Sequence, residues 1–290
     1  MIGWPRASLS EDSKNRLRAV FSLGKSFVGA VLKNFLATAC WGVLAVGCAS
    51  GPSTDSGAAS SATVAASPWA RESSATAAAQ PAKLGWQHYA LPGKKPSEYH
   101  FVRLDGRNAL AARADAAASL MRYDVRVAPA ELGHLRFSWK VPQLIANADM
   151  ALREADDSPV RVFLAFEGDR SKFSGRNAML SELMRAVTGE ALPYATLMYV
   201  WCNQREPGSV IISPRTDRIR KLVVESGPRR LNQWLDYERD VRADFVKVFG
   251  EEPGALVGIG IMTDSDNTRS HTDAWYGPVR MVAARAAAAR

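Results

Sequence analysis

The sequence predicts an all-β domain, an antiparallel jelly-roll-like β-sandwich carrying two short inserted helices. Three observations predict it. Between about residues 84 and 283 apolar side chains alternate with polar ones, as in Met121, Tyr123, Val125 and Val127 against Arg122, Asp124 and Arg126. A period of two puts one face of a strand in a core and the other toward water. Helical periodicity surfaces only twice, and the strand-like runs lack the regular intervening helices that a parallel sheet demands.

In chain order, residues 99–104 and 109–114 pair as a hairpin through a turn at Asp105-Gly106. Residues 121–127 form the next strand. Leu135, Phe137, Trp139 and Val141 then alternate with His134, Arg136, Ser138 and Lys140. Val160, Val162, Leu164 and Phe166 follow, entered through Pro159, a residue tolerated at a strand's first position. Residues 177–187 place Leu180, Leu183, Met184 and Val187 on one helical face. Strands over 195–202 and 219–224 come next. A second helix lies between Leu235 and Gly250, with Tyr237, Val241, Phe245 and Val248 inward and Gly250 as its C-cap. Residues 256–262 and 275–282 close the sandwich.

The N-terminal region has a different character. Lys33-Asn34 precede an apolar run of 13 residues, 35–47, that ends at Cys48. The run is too short to span about 30 Å of hydrocarbon and has the length of an export signal's core. Leu44-Ala45-Val46-Gly47-Cys48 resembles a lipobox, with the leucine one place early. The resemblance implies a signal peptide over 1–48, lipidation of Cys48 and a lipid bilayer as partner. Ser50 fits outer-membrane sorting, the protein facing the periplasm. Ordinary cleavage between 45 and 49, giving a soluble periplasmic protein, and an uncut segment remain open. Residues 49–83, rich in Ala, Ser, Thr, Gly and Pro, read as a disordered tether. Residues 84–283 are the folded body, and 284–290 a frayed tail.

This division governs the charge. The chain is formally +8, but residues 1–47 hold six Lys/Arg against Glu11 and Asp12, so about half the excess belongs to the signal. The body is mildly charged and mixed, which argues against a nucleic-acid partner. Of the three cysteines only Cys202 falls in the body, so no disulfide within it is available. Beside Trp201 it reads as a small core residue.

Several ordered blocks resemble the uncharacterised bacterial family DUF3047, across residues 86–282. They are Leu135-Arg136-Phe137-Ser138-Trp139-Lys140-Val141, Asp156-Asp157-Ser158-Pro159-Val160-Arg161-Val162, Met198-Tyr199-Val200-Trp201, Ile212-Ser213-Pro214, Val224-Glu225-Ser226-Gly227, the stretch 234–244, and Ile261-Met262-Thr263-Asp264-Ser265-Asp266-Asn267-Thr268. The resemblance implies kinship and carries no established activity. The strand pattern is also similar to jelly-roll carbohydrate-binding modules, a likeness of fold alone.

The sharpest polar feature is Asp264-Ser265-Asp266-Asn267-Thr268, where a loop leaves an apolar strand. Asp264, Asp266 and Asn267 offer hard oxygen ligands that suit Ca²⁺, although the same residue types also build turns. Asp156 and Asp157 pose the same choice. They cap a turn, salt-bridge Arg161, or meet the Asp264 loop in a composite acidic site, where carboxylates about 5–9 Å apart would permit glycosidase chemistry. Trp139 and Trp201 belong to the core. Trp275 and Tyr276 point to opposite faces, and this pair is the candidate stacking platform for a sugar. His271 and Arg239 are supporting candidates, Arg239 placed on the second helix. No motif for a nucleophile, metal-binding histidine pair or phosphate loop appears, so catalytic residues stay unassigned. The leading expectation is an exported, lipid-anchored ligand-binding protein, with glycans or cell-wall saccharides as ligand, rather than an enzyme. Its rivals are a carboxylate- or metal-dependent envelope hydrolase and a structural envelope protein with a protein partner.

Overall fold

The computed structural model describes residues 63–73, 80–81 and 85–282, and over these the alternation of the sequence becomes two β-sheets. The signal with Cys48 and the tail 284–290 lie outside the described residues. In chain order the strands are β1 (Gln80–Pro81), β2 (Gln87–Ala90), β3 (Glu98–Leu104), β4 (Arg107–Asp115), β5 (Ala118–Val127), β6 (His134–Lys140) and β7 (Ser158–Phe166). They continue as β8 (Ala195–Cys202), β9 (Val210–Ile212), β10 (Ile219–Ser226), β11 (Leu235–Asp240), β12 (Leu256–Asp264), β13 (His271–Tyr276) and β14 (Arg280–Val282). Helices α1 (Pro68–Glu72), α2 (Gly175–Thr188) and α3 (Val241–Phe249) accompany them.

The larger sheet runs β1-β5-β12-β7-β8-β10-β9, with β2 also on β5; the smaller runs β11-β6-β13-β4-β3, with β14 also on β6. The two share one core. Val162, Leu164, Tyr199, Ile259 and Ile261 from the first pack with Leu110, Leu135, Phe137, Trp139 and Tyr276 from the second. Phe137 stacks on Tyr199 at 5.5 Å between ring centres. The fold is therefore β-dominant and largely antiparallel with a few short helices. The β8–β10 pair is parallel, and the strand order shows no clear jelly-roll closure.

Local chemistry explains most boundaries. Asp105 and Gly106 both take positive φ, 51° and 76°, the geometry a two-residue hairpin needs, and β3 pairs with β4 across them. The strand expected over 275–282 is broken by Gly277-Pro278 into β13 and β14. The second helix is shorter than its periodicity implies. Residues 235–240 are a strand paired to β6, with Leu235 buried and Asp236 and Glu238 exposed. The helix starts only where the Asp240 carboxylate accepts the Ala243 N–H at 2.9 Å. Arg239 is thus a strand residue.

Helix α2 reverses its expected facing. Leu183 and Val187 are 58% and 60% exposed. The helix is seated instead by buried Asn177 and Ser181. Asn177 donates to Asp217 at 2.6 Å and accepts from Thr216 at 2.8 Å, and Ser181 accepts from Arg170 at 2.9 Å. Specific polar bonds outweigh the weak apolar stripe here. Among the described residues no helix is long and apolar enough to cross a membrane.

The expected tether contains a structured stretch. Within residues 63–73, Ser67 caps α1 and Trp69 is fully buried, its ring 4.8 Å from that of Trp86. Trp69 Nε1 donates to Gly277 O at 3.0 Å, and Val279 N donates to Ser73 Oγ at 3.1 Å. Replacing Trp69 by Phe keeps most of the apolar surface and leaves the Gly277 carbonyl without its donor. Chemical denaturation should show a loss of about 1–2 kcal/mol; an unchanged midpoint would mean that this segment does not belong to the folded body.

All nine positions of β7 are buried, and both its faces are covered except for the groove at the Ala165 end of the outer one. The inner face meets the main core. On the outer face Met150, Val200, Cys202, Ile211 and Val223 form a second, smaller core, and Cys202 is accordingly a packing residue.

Candidate functional site

Antiparallel pairing of β12 with β7 sets Asp264 opposite Ser158. The end of one strand thus lies beside the start of the other, and the 156–157 and 264–268 loops meet. Asp157 and Asn267, 110 residues apart, bond directly: Asn267 N donates to Asp157 Oδ1 at 3.1 Å. Asp157 Oδ2 accepts from Thr268 N at 2.7 Å and Thr268 Oγ1 at 2.6 Å. Asp264 Oδ1 accepts from Ser158 N at 3.0 Å and Arg161 Nε at 3.1 Å, and its Oδ2 accepts from Arg161 Nη2 at 3.1 Å.

Arg161 is the hub. Its Nη2 also donates to Asp156 Oδ1 at 3.0 Å and to Asp156 O at 2.8 Å. Lys221 Nζ donates to Asp156 Oδ1 at 2.7 Å and to Met150 O at 2.8 Å, which ties the covering loop to β10. Arg215 Nη1 approaches Asp156 Oδ2 at 3.3 Å. Asp266 sits at the rim, paired with Lys94. Asp156, Asp157, Arg161, Lys221 and Asp264 are all buried.

Burial makes the charges act strongly on one another. Burial pushes the Asp264 carboxyl up to about 7, aided by the negative charges of Asp157 and Asp156 and only partly offset by Arg161. Burial also raises Asp156, but the Arg161 and Lys221 charges outweigh it and leave that carboxyl below its ordinary range. Burial, then the charge of Arg161, brings Lys221 down to about 8 against the pull of Asp156. The pocket thus holds one firmly ionised carboxylate and one poised near neutrality. One oxygen from each of Asp157, Asp264 and Asp266 lies within 4.8 Å of the others, a set able to chelate a divalent cation.

The other candidates fall elsewhere. Asn267 ties the loops together, its Nδ2 donating to Asp156 O at 3.0 Å. Asp156 serves the Arg161–Lys221 pairs and is not one of the three converging oxygens. Tyr276 is fully buried, so it offers no stacking surface. Its hydroxyl donates to Met262 O at 2.7 Å and lies 2.9 Å from Thr263 Oγ1. Trp275 is half-buried on the smaller sheet, between Lys140 and Ala111 in register. His271 is exposed and bonds Asp273 at 3.0 Å. Arg239 grips Asp244 in the first turn of α3, with 2.8 Å between Arg239 Nε and Asp244 Oδ2, and so anchors that helix. Lys221 was not singled out from the sequence, since in its strand it occupies the polar register of a solvent-facing residue. The apolar Met150-Ala151 pair in a loop is the one local hint that this face is covered.

A search of curated protein sequences finds no match. Among solved structures, the chain is similar to the xyloglucanase domain of NopAA, a type three effector from Sinorhizobium fredii, solved in complex with cellobiose. Identity is 9%, covering 69% of this chain and 93% of that one, with a TM-score of 0.35. A likeness at that level carries no argument about function. The sequence profile of the family described as "Protein of unknown function (DUF3047)" matches residues 84–280, and the chain belongs to that family.

Proposed function

We propose that this chain is an exported, lipid-anchored envelope protein whose domain binds a divalent cation between the 156–157 and 264–267 loops, in the service of a carboxylate- or metal-dependent hydrolase. The observation that carries the reading is the convergence of Asp157, Asp264 and Asp266. Three carboxylates gathered in a buried setting repel one another, and a hard cation relieves that repulsion. Asp266 and Lys94, at the rim, mark the entry; a cation would take the place of the Lys94 ammonium. Without the cation the Asp264 carboxyl sits up at about 7, and a bound cation requires it ionised, so cation binding should strengthen as pH rises through that value. Ca²⁺ suits an all-oxygen ligand set of this kind, and envelope saccharides are the substrate class.

A ligand-binding module, its loops stapled by the same cation, is the second reading. It is favoured by the burial of Asp157 and Asp264, which keeps both away from a bulky substrate. Calorimetric titration of the mature chain with CaCl₂ and MgCl₂ at pH 8 should give one binding event, weakened at least tenfold by Asp266→Asn. No heat and no shift in melting at millimolar cation would remove the cation from both readings. Cation-dependent release of reducing ends from envelope polysaccharide separates hydrolase from binder. Mass spectrometry of the mature N-terminus should find acylated Cys48.

A further inference from the structure

Arg161, Phe163 and Ala165 alternate onto the outer face of β7, opposite Met262, Gly260 and Gly258 of β12. The acidic centre therefore occupies one end of this face, and four residues along β7, about 13 Å, the other end is open. There a groove of about 710 Å³ runs over β5, β12 and β7, within the roughly 300–1,000 Å³ typical of ligand sites.

The floor is the unusual part. Gly258 lies opposite Ala165, and both line the groove. Neighbouring glycines are required by packing: a Cβ on Gly260 would stand 2.1 Å from the Phe163 ring, and one on Gly254 2.2 Å from Glu167 O. Gly258 is not so constrained. A Cβ there would meet Ala165 Cβ at 3.6 Å and Arg122 Cδ at 3.8 Å, ordinary contacts, and its φ is not left-handed. Glycine inside a strand is destabilising relative to alanine. Such a residue marks a bulge or the close approach of a ligand; the register does shift between Leu256 and Gly258, so the test must separate the two.

The walls name the ligand class. The charged lining residues are Arg122, Arg126 and Arg170 with Asp124, Glu167 and Glu190, three of each sign. Arg126 holds Glu167 at 2.6 and 2.7 Å, and Arg122 holds Glu190 at 2.9 and 3.2 Å. With no net charge, the groove favours neither phosphate nor a cation. Arg122 is further occupied by Asp124 at 2.6 Å and the Tyr89 hydroxyl at 2.8 Å, but Arg126 spends two of its five N–H donors on Glu167, so that wall keeps donors and acceptors side by side and held in place. That arrangement matches adjacent hydroxyl groups.

We propose that this groove binds a neutral oligosaccharide lying across the bare Gly258–Ala165 floor. The site deepens the saccharide part of the function proposed above, but its occupancy does not depend on the cation centre.

The test is affinity electrophoresis of the mature chain in EDTA, through gels carrying a soluble β-glucan, a galactomannan or dextran, with polygalacturonate as the anionic control. At least one neutral polymer should retard the protein, and polygalacturonate should not. Gly258→Val, which fills the floor, should weaken retardation at least tenfold without lowering the melting temperature. Glu167→Gln, which loosens one wall pair and leaves the strand unchanged, should also weaken it if the valine variant fails to fold. Absence of retardation by all neutral polymers, preference for polygalacturonate, or undiminished retardation of a folded Gly258→Val chain would overturn the proposal; the last would assign Gly258 to the bulge. Because EDTA is present throughout, loss of the cation reading leaves this result standing, and the reverse also holds.

Discussion

Arg161→Met is expected to cost about 3–5 kcal/mol of folding stability at pH 7. The residue is 3% exposed, and its side chain donates to Asp264 through two nitrogens and to both the carboxylate and the carbonyl of Asp156. Methionine fills much of the volume but leaves these acceptors buried and unmatched. Asp156 keeps Lys221 and Arg215, so the greater harm falls on Asp264. At pH 5, where that carboxyl is protonated, the loss should be smaller, and Asp264→Asn should restore part of it in the double variant. Urea unfolding of the four proteins reads all these quantities. A loss under 1 kcal/mol would show that the network does not hold the loops.

Asp264→Asn alone is expected to stabilise the cation-free protein at pH 8 while weakening it at pH 3. The displacement of the Asp264 carboxyl from 3.8 to about 7 corresponds to about 4 kcal/mol. Between those values the folded chain holds a proton that the unfolded chain has released. Wild-type stability from this group therefore declines as pH rises from about 4 to 7. An amide cannot ionise and escapes that decline. It brings an NH₂ against Arg161 Nη2, costing about 1–2 kcal/mol at every pH. The difference between variant and wild type should thus change sign, from a loss of about 1–2 kcal/mol at pH 3, through near zero at pH 5, to a gain of about 2–3 kcal/mol at pH 8. A difference that stays flat across that pH range would refute the placement of Asp264.

The strands were legible because their residues alternate against a shared core, a signal each segment carries by itself. Residues 235–240 misled for a physical reason: Tyr237, Val241, Phe245 and Val248 keep helical spacing across a boundary that only the Asp240 cap and pairing with β6 create. The candidate site was half legible. Asp156, Asp157, Asp264 and Asp266 stand out as polar loops, and Arg161 as a salt-bridge partner. Their meeting depends on the register of β7 against β12, set by residues more than 100 positions apart. Lys221 stayed hidden because nothing near it says that the loop around Met150 will cover its face. Trp69 was obscured by the small residues around it, which carry no periodicity for a single buried indole to complete.

The burial of Val64 and Trp69 also sets a length. A chain anchored at Cys48 and free as far as residue 86 could extend about 130 Å, at roughly 3.4 Å per residue. Docked from Val64 onward, its leash shortens to about 55 Å at full stretch. On the lipid-anchor reading, the domain then patrols only a thin layer next to its own membrane. Polymers in that layer, rather than distant ones, become the material it can meet.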